Sequence, residues 1–363
     1  MSSSTNFAIV IDIDGAGSHP ASWRVAGAAP DELLSARWIS RAVTAAERAG
    51  FTAVTFEDHP LPASAVDGLS ARIDAVIQAS FSAPLTGSIG LIPVVQVAYS
   101  EPFHVATQIA SLDTASHGRA GWIVRADPDP AIAARYGREP LPVGAEDEEL
   151  TDVVEAVRRL WDSWEDDAVI RDVETGRYLD RDKLHYADFE GHRFSVKGPS
   201  ILPRSPQGQP LVIAEAGTDA EIDVALIDTP LATLTGEVAR ARSRQGVGVR
   251  VFLQLEVALD HAGLTGDERV SALDNDALWV TDGRARYVGD ADGLVGLLSS
   301  LSGVVDGVRI HPAVLDVDLD EIGRAVLPQL QHQGVFVSPR AGVSLRHSLG
   351  LQHPANRFVE VNR

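Results

Sequence analysis

Cysteine is absent from all 363 residues of the chain. This absence excludes disulfide bonds, thiolate metal sites and cysteine nucleophiles. Long apolar runs are absent as well, because no window approaches the roughly eighteen consecutive apolar residues of a membrane-spanning helix. The first residues, "MSSSTNFAIVIDIDGAG", also lack the basic segment and long apolar core of a secretory signal. We therefore expect a cytoplasmic protein.

Positive charge is scarce: Lys and Arg together number 31 against 51 Asp and Glu, a formal net charge of −20. Such a surface repels phosphate polymers and anionic lipids, so we expect neither a nucleic-acid nor a membrane partner. Several enzyme motifs are missing too. The sequence contains no G-x-S-x-G elbow, no P-loop and no G-x-G-x-x-G after a strand, and its histidines lack the spacing of metal ligands. We expect no metal site.

What the sequence does contain is a regular alternation of apolar runs and helical patterns, which is typical of βα units. The candidate strands read "FAIVIDID", "FTAVTFE", "GSIGLIPVV", "RAGWIV", "PLVIAEA", "VALID", "VRVFLQLEVAL" and "VDGVRIHP". About eight such units favour a closed barrel over an open sheet. We predict an α/β fold, a TIM-type (β/α)8 barrel with long insertions, formed by one domain of residues 1–363. The excursions from it are expected at about 163–209 and 258–288.

Local signals place several helices within this pattern. Asp31 is the predicted N-cap of a helix with apolar residues at 3.6-like spacing from Leu34 to Ala46, and Gly50 ends it. A second helix is predicted over 147–161. Trp122, in "HGRAGWIV", is predicted to be buried as a wall of a pocket at the barrel rim.

Seven stretches, taken in order, carry a family resemblance over about residues 7 to 358. They are "GSHPASWR", "AERAGFTAVTFEDH", "EPFHVATQIASLDTASHGRAGW", "LWDSWEDDA", "FSVKGPSILPRSPQGQPLVIAEAG", "VLPQLQHQGVF" and "SLRHSLGLQHPANRF". Together they resemble the bacterial luciferase-like flavin-dependent monooxygenases, in the branch of the nitrilotriacetate and dibenzothiophene-sulfone monooxygenases.

The resemblance implies a two-component monooxygenase acting on a small organic substrate. In such a system a separate flavin reductase supplies reduced FMN, and dioxygen is the co-substrate. The cofactor carries the difficult chemistry, while the protein binds and orients it. The resemblance also implies a homo-oligomer.

The cofactor site is expected to include Asp58, Gln96, Ile123, Gly217 and Thr218. Asp58 matches an acidic position beside the flavin in relatives, and Gly217 matches the glycine of the phosphate loop. The backbone N–H groups of Gly217 and Thr218 are expected to bind an anion at a helix start. The sequence does not assign a catalytic residue.

Other positions depart from the family pattern. After "GRAGW", relatives continue "NVVTS", whereas this chain has Ile123 to Asp127. Near Val143 and Asp147 relatives carry the His and Tyr that contact phosphate. The element "QAGSSEAG" of relatives is "EAGTDAEI" here, which introduces Glu215 and Asp219.

Carboxylates at 147, 215 and 219 surround the expected phosphate site with like charge, and Arg125 or Arg135 is a candidate to compensate. Two alternatives therefore stay open beside the FMN enzyme. One is an oxidoreductase with a deazaflavin or a rebuilt cofactor site. The other is a non-catalytic binding or companion subunit.

Overall fold

The computed structural model describes residues 7–26, 29, 31–59, 71–246, 248–281 and 283–360. Parallel strands β1 to β8 close into a barrel in which each strand pairs with its neighbours in sequence, and β8 pairs with β1. The strands are Ala8–Asp12 (β1), Ala53–Phe56 (β2), Gly90–Gln96 (β3), Gly121–Arg125 (β4), Leu211–Glu215 (β5), Val224–Ile227 (β6), Arg250–Leu259 (β7) and Gly307–Pro312 (β8). The predicted TIM-type barrel is confirmed.

Helices cover the outside of the barrel. They are Ala36–Ala49 (α1), Ala75–Ser82 (α2), Pro102–Ala115 (α3), Pro130–Arg135 (α4), Glu146–Asp162 (α5), Leu234–Gln245 (α6), Gly266–Asp274 (α7), Ala291–Leu301 (α8), Leu315–Glu321 (α9), Leu327–His332 (α10), Leu345–Ser348 (α11) and Arg357–Glu360 (α12). Helix α5 agrees with the predicted helix at 147–161. Within the described ranges, no helix combines the length and the apolar character needed to cross a membrane.

Strand alternation divides the apolar side chains into two layers. Ile123 lies inside the barrel with Val94 and Ile213, whereas Trp122 faces the surrounding helices. The Trp122 ring lies edge-on to that of Trp161 in α5, with centroids 6.1 Å apart. Trp122 is fully buried, as expected, but it does not line the rim cavity, so its predicted role as a pocket wall is wrong. Neighbouring residues of a strand point to opposite faces, and only one face looks into the barrel.

Helix α1 begins later than the sequence pattern indicates. Its N-cap is Ser35, whose hydroxyl accepts a hydrogen bond from the Trp38 N–H at 3.1 Å. Asp31 instead precedes a short helical turn, Glu32–Leu34, and makes no side-chain cap bond there. The helix ends at Gly50, which has φ +95°, a left-handed conformation that favours glycine.

The connection from β5 to β6 contains no helix. Only residues 216 to 223 join the two strands, and all of them are turn, bend or irregular. The expectation of a helix start at Gly217 and Thr218 is therefore wrong. The reason is length, because this connection is shorter than the dozen or so residues that a helical crossover between parallel strands needs.

The two excursions differ in structure. Within residues 163–209, Val169–Asp172 pairs with Arg177–Leu179, and Phe189–Glu190 pairs with Ser195–Val196, as two antiparallel hairpins. In the second excursion, the strand Ala285–Gly289 pairs with the outer half of β7. It extends the sheet beyond the closed barrel.

Candidate active site

A cavity of about 510 Å³ opens at the carboxyl ends of β3, β4 and β5, the end at which TIM-type barrels bind their ligands. Part of its lining is apolar and consists of Val124, Ala126, Leu150, Ala214 and Ala216. The rest consists of His59, Gln96, Arg125, Asp127, Glu146, Asp147, Glu215, Gly217 and Thr218. An apolar wall that faces polar and charged groups suits a flat heterocycle with polar edges.

A buried arginine lies at the centre of the barrel mouth. The guanidinium of Arg309 in β8 is 1% exposed and donates to Asp12 Oδ1 at 2.9 Å and to Glu57 Oε1. It also donates to Thr55 Oγ1 at 3.0 Å and to Gln254 Oε1 at 2.9 Å. These contacts join β1, β2, β7 and β8 through a single side chain, so the charges at the mouth are held in fixed positions.

The carboxylates around this arginine are ionised. Burial is the largest single effect and opposes the charge on Asp12, but the Arg309 guanidinium together with His311 and Thr55 outweighs it and holds the pKa of Asp12 well below its usual range. Burial likewise opposes the charge on Glu57, and Arg309 and Arg125 together lower its pKa. Arg125, which lines the cavity, contacts Glu57 Oε2 at 2.8 Å. The cavity thus borders a preorganised, nearly balanced set of charges.

Glu215 behaves differently because, among the residues that the structure describes, no arginine forms an ion pair with it. Burial and the nearby charge of Asp228 raise the pKa of Glu215 to about 7. The side chain of Gln254 bridges the two carboxyls: its Nε2 donates to Glu215 Oε1 at 3.2 Å and to both oxygens of Asp228 at 2.9 Å. Glu215 is therefore a cavity-lining carboxyl that is partly protonated near neutral pH, as general acid–base groups are.

A second cluster stabilises the opposite side of the opening. The Gln96 Oε1 accepts a hydrogen bond from the Asp127 N–H at 3.0 Å, and Asp127 Oδ2 lies 3.0 Å from His59 Nε2. Gln96 Nε2 has no acceptor among the residues described. It is thus an available donor in the cavity lining.

The far end of the cavity is acidic. Asp147, in the first turn of α5, accepts a hydrogen bond from the Asp219 N–H, at 3.1 Å through Oδ2 and at 3.4 Å through Oδ1. The Arg244 side chain donates to Asp219 Oδ1 at 2.7 Å and to the Thr218 carbonyl oxygen at 3.0 Å. Its Nη2 lies 3.9 Å from Asp147 Oδ2. One arginine therefore faces two carboxylates.

Known proteins share the sequence pattern and the fold of this chain. Residues 15–260 match the family described as "Luciferase-like monooxygenase". The chain belongs to the luciferase-like monooxygenase family. The resemblance inferred from the seven sequence stretches is thereby confirmed, and so is the prediction of a monooxygenase of this family.

Individual relatives of this luciferase-like monooxygenase cover most of its length. It is 28% identical to the N-acetyl-S-(2-succino)cysteine monooxygenase of Bacillus subtilis, over 95% of this chain and 97% of that protein. It is 28% identical to the dibenzothiophene-sulfone monooxygenase of Rhodococcus erythropolis, over 75% of this chain and 78% of that protein. The crystal structure of a long-chain alkane monooxygenase superposes with a TM-score of 0.85 at 18% identity, covering 99% and 100% of the two chains.

The structure brings together three of the five residues expected to bind cofactor, because Gln96, Gly217 and Thr218 line the same cavity. Asp58 lies in the lining of a neighbouring cavity of about 490 Å³, which shares Gln96. Its Oδ2 accepts from the Ala75 N–H at 2.9 Å, at the start of α2. Burial raises the pKa of Asp58.

Ile123 lies apart from both cavities in this luciferase-like monooxygenase. It is buried inside the barrel, paired in register with Val94 and Ile213. Val143, which occupies a phosphate-contact position of relatives, is fully exposed and lines neither cavity. Arg125 is bound to Glu57, and Arg135 is exposed on α4, whereas Arg244 lies 3.9 Å from Asp147 at the acidic end.

Sequence reasoning missed Arg309, Glu57 and Arg244. Arg309 interrupts the apolar strand "GVRIHP", and a charged residue inside a strand of a parallel barrel is unusual because such strands are buried on both faces. A charged residue at this position indicates an ion pair, but the sequence does not show which residue is its partner. Arg244 lies in the last turn of α6, where a basic residue is ordinary, so nothing in the sequence distinguishes it.

The residues present fit one half of FMN and not the other. The apolar lining and the free donor of Gln96 fit an isoalloxazine ring. At the other end, the loop after β5 forms no helix, the first turn of α5 carries four carboxylates, and the Asp219 N–H is already bonded to the Asp147 carboxylate. The lining therefore accommodates a flavin ring but opposes a terminal phosphate.

Proposed function

We propose that this chain is the oxygenating component of a two-component flavin-dependent monooxygenase that acts on a small organic substrate. A separate flavin reductase would supply the reduced flavin, and dioxygen would be the co-substrate. One barrel, formed by residues 1–363, would carry the whole site and would act as a homo-oligomer. The supporting observation is the apolar-walled cavity at the carboxyl ends of β3 to β5, beside the fixed charges of Arg309 and Arg125.

The cavity residues have distinct roles under this proposal. The bound reduced flavin supplies the electrons with which dioxygen is activated. Val124, Ala126 and Ala214 would exclude water from the bound ring. Gln96 would hold the ring through a hydrogen bond from its Nε2, since its Oε1 is held by the Asp127 N–H.

Glu215 is the proposed proton-transfer group. Gln254 fixes its Oε1, and its carboxyl borders the cavity. Its pKa of about 7 lets it both hold and release a proton at neutral pH. Gln254 Nε2 also bonds Asp228, which keeps the second negative charge close enough to maintain that raised pKa.

A binding experiment with a blocked cavity tests the proposal. Ala216→Trp places an indole in the cavity, whereas Ala131→Trp adds the same side chain to the exposed surface of α4. Flavin binding is followed by the anisotropy of flavin fluorescence, for FMN and for riboflavin. We expect at least one flavin to bind wild type and Ala131→Trp equally, and to bind Ala216→Trp more than about tenfold more weakly.

Turnover provides the second measurement. With a flavin reductase and NADH present, wild type should increase oxygen consumption in the presence of a substrate, and Ala216→Trp should not. A protein that binds neither flavin would refute the proposal and leave the deazaflavin and companion-subunit alternatives. Flavin binding without any substrate-dependent oxygen use would support the companion subunit. Light scattering tests the expected homo-oligomer.

A further inference from the structure

We propose that the flavin used by this chain lacks a terminal phosphate, as riboflavin does. The reason is that the Asp147 carboxylate lies beside Gly217 and Thr218, at the end of the cavity where the phosphate of FMN is expected. This inference rests on the proposed function, since it names the form of the cofactor bound at the same site. It follows from three features of the residues around Gly217.

The first feature is the loop that follows β5. Gly217 has φ +119° and nothing within 4 Å of the place a Cβ would occupy, so the loop borders open space. A helix start normally adds several N–H groups and a positive dipole to a phosphate site. Residues 216 to 223 contain no helix, so this loop makes no such contribution. The helix start that does line the cavity, that of α5, carries four carboxylates in its first turn.

The second feature is that the protein's own carboxylate, Asp147, already accepts a hydrogen bond from a backbone N–H of this loop. The Asp219 N–H bonds both oxygens of Asp147, at 3.1 and 3.4 Å. Arg244 is engaged with Asp219 and with the Thr218 carbonyl oxygen. A phosphate placed here would have to displace Asp147 or lie against two carboxylates, and like charges at such distances repel.

The third feature is a buried carboxylate oxygen that accepts no hydrogen bond from the described residues. Glu146 Oε2 is buried, lines the cavity end and has no hydrogen-bond partner in the described part of the chain. A buried acceptor left without a partner is destabilising. FMN and riboflavin share the ribityl chain, but the terminal hydroxyl of riboflavin can donate to this oxygen, whereas the terminal phosphate dianion of FMN offers only acceptors. The cavity end therefore matches a neutral polyol better than a phosphate.

The test compares FMN with riboflavin for three proteins. Asp147→Asn removes the charge from the anion position. Glu148→Gln makes the same charge change one residue further along α5, at an exposed side chain that contacts His192 and Arg193 rather than the cavity. Affinities are measured by flavin fluorescence at low and moderate salt, because screening weakens charge repulsion.

Wild type and Glu148→Gln should bind riboflavin about tenfold or more tightly than FMN. Asp147→Asn should tighten FMN binding by about tenfold and change riboflavin binding by less than about twofold. Equal affinity of wild type for both flavins, unchanged by Asp147→Asn, would overturn this inference and leave the proposed function intact. Failure of both flavins to bind would overturn the proposed function and this inference with it.

Discussion

Arg309→Met is the sharpest probe of the charge network at the barrel mouth. Methionine fills much of the same space but removes the guanidinium that contacts Asp12 Oδ1 at 2.9 Å and also contacts Glu57. Both carboxylates would remain buried, and only Glu57 would keep a cation, Arg125. Removing one partner from a buried ion pair is typically destabilising by about 3 to 5 kcal/mol. We therefore expect the free energy of unfolding of Arg309→Met to be lower than that of wild type by this amount at pH 7.5.

The loss of stability in Arg309→Met should become smaller as the pH falls. In wild type the pKa values of Asp12 and Glu57 lie below their unfolded values, so their stabilising effect is complete at neutral pH and is lost only in acid. In Arg309→Met, the largest effect that opposes burial is gone, so burial raises the pKa of Asp12 despite its remaining contacts with His311 and Thr55. The variant therefore regains stability by taking up protons as the pH falls, and the gap to wild type should narrow between pH 7.5 and pH 5.5.

Urea unfolding followed by circular dichroism at both pH values measures this gap. Arg324→Met is the matched control, because Arg324 is an exposed arginine paired with Glu321 at the surface. Surface pairs of this kind contribute about 0 to 1 kcal/mol, so the control should stay close to wild type. A loss below about 1 kcal/mol in Arg309→Met, or a gap that is the same at both pH values, would refute the electrostatic argument.

Two further variants test other parts of the site. Glu215 has a pKa of about 7, above its unfolded value, so wild type should lose stability as the pH rises from 5 to 8. Glu215→Gln should remove the part of this loss that is due to Glu215, while the part due to Asp14, whose pKa is also raised to about 7, should remain. The free energy of unfolding of the variant relative to wild type should rise by about 2 kcal/mol over that range in urea titrations. Trp122→Ala should lower the free energy of unfolding by about 3 to 5 kcal/mol, yet leave flavin affinity unchanged because the ring packs on Trp161 outside the cavity. An unchanged pH profile in the first variant, or weaker flavin binding by the folded second variant, would contradict these assignments.

Local patterns predicted the barrel well. Each strand of the barrel corresponds to a short apolar run, and α5 extends the predicted 147–161 by one residue at each end. These features depend on side-chain periodicity within one segment, which is readable without knowing the partner segment. Helix starts were less predictable, since both Asp31 and Ser35 have the side chain of an N-cap and only packing selects between them.

At the acidic end of the cavity, too, the sequence predicted the residue types but not their contacts. The sequence shows that Asp147 and Asp219 replace residues that contact phosphate in relatives. It does not show that the Asp219 N–H is bonded to Asp147, or that Arg244 from α6 reaches the same point. That arrangement depends on how α5, α6 and the loop after β5 pack together. The loop takes its conformation because the connection between β5 and β6 contains no helix.

By itself, therefore, the sequence determined the order of βα units, the family and the acidic character of the cavity end, because each is carried by residues close together in the chain. Closure of the barrel decided which distant residues meet. Asp12, Glu57 and Arg309 are separated by up to 297 positions and become neighbours because β8 pairs with β1, which pairs with β2. Strand alternation then decided that Trp122 faces the helices and Ile123 the interior. A side chain's chemistry is local, but its partners depend on the register of strands that only the folded chain brings together.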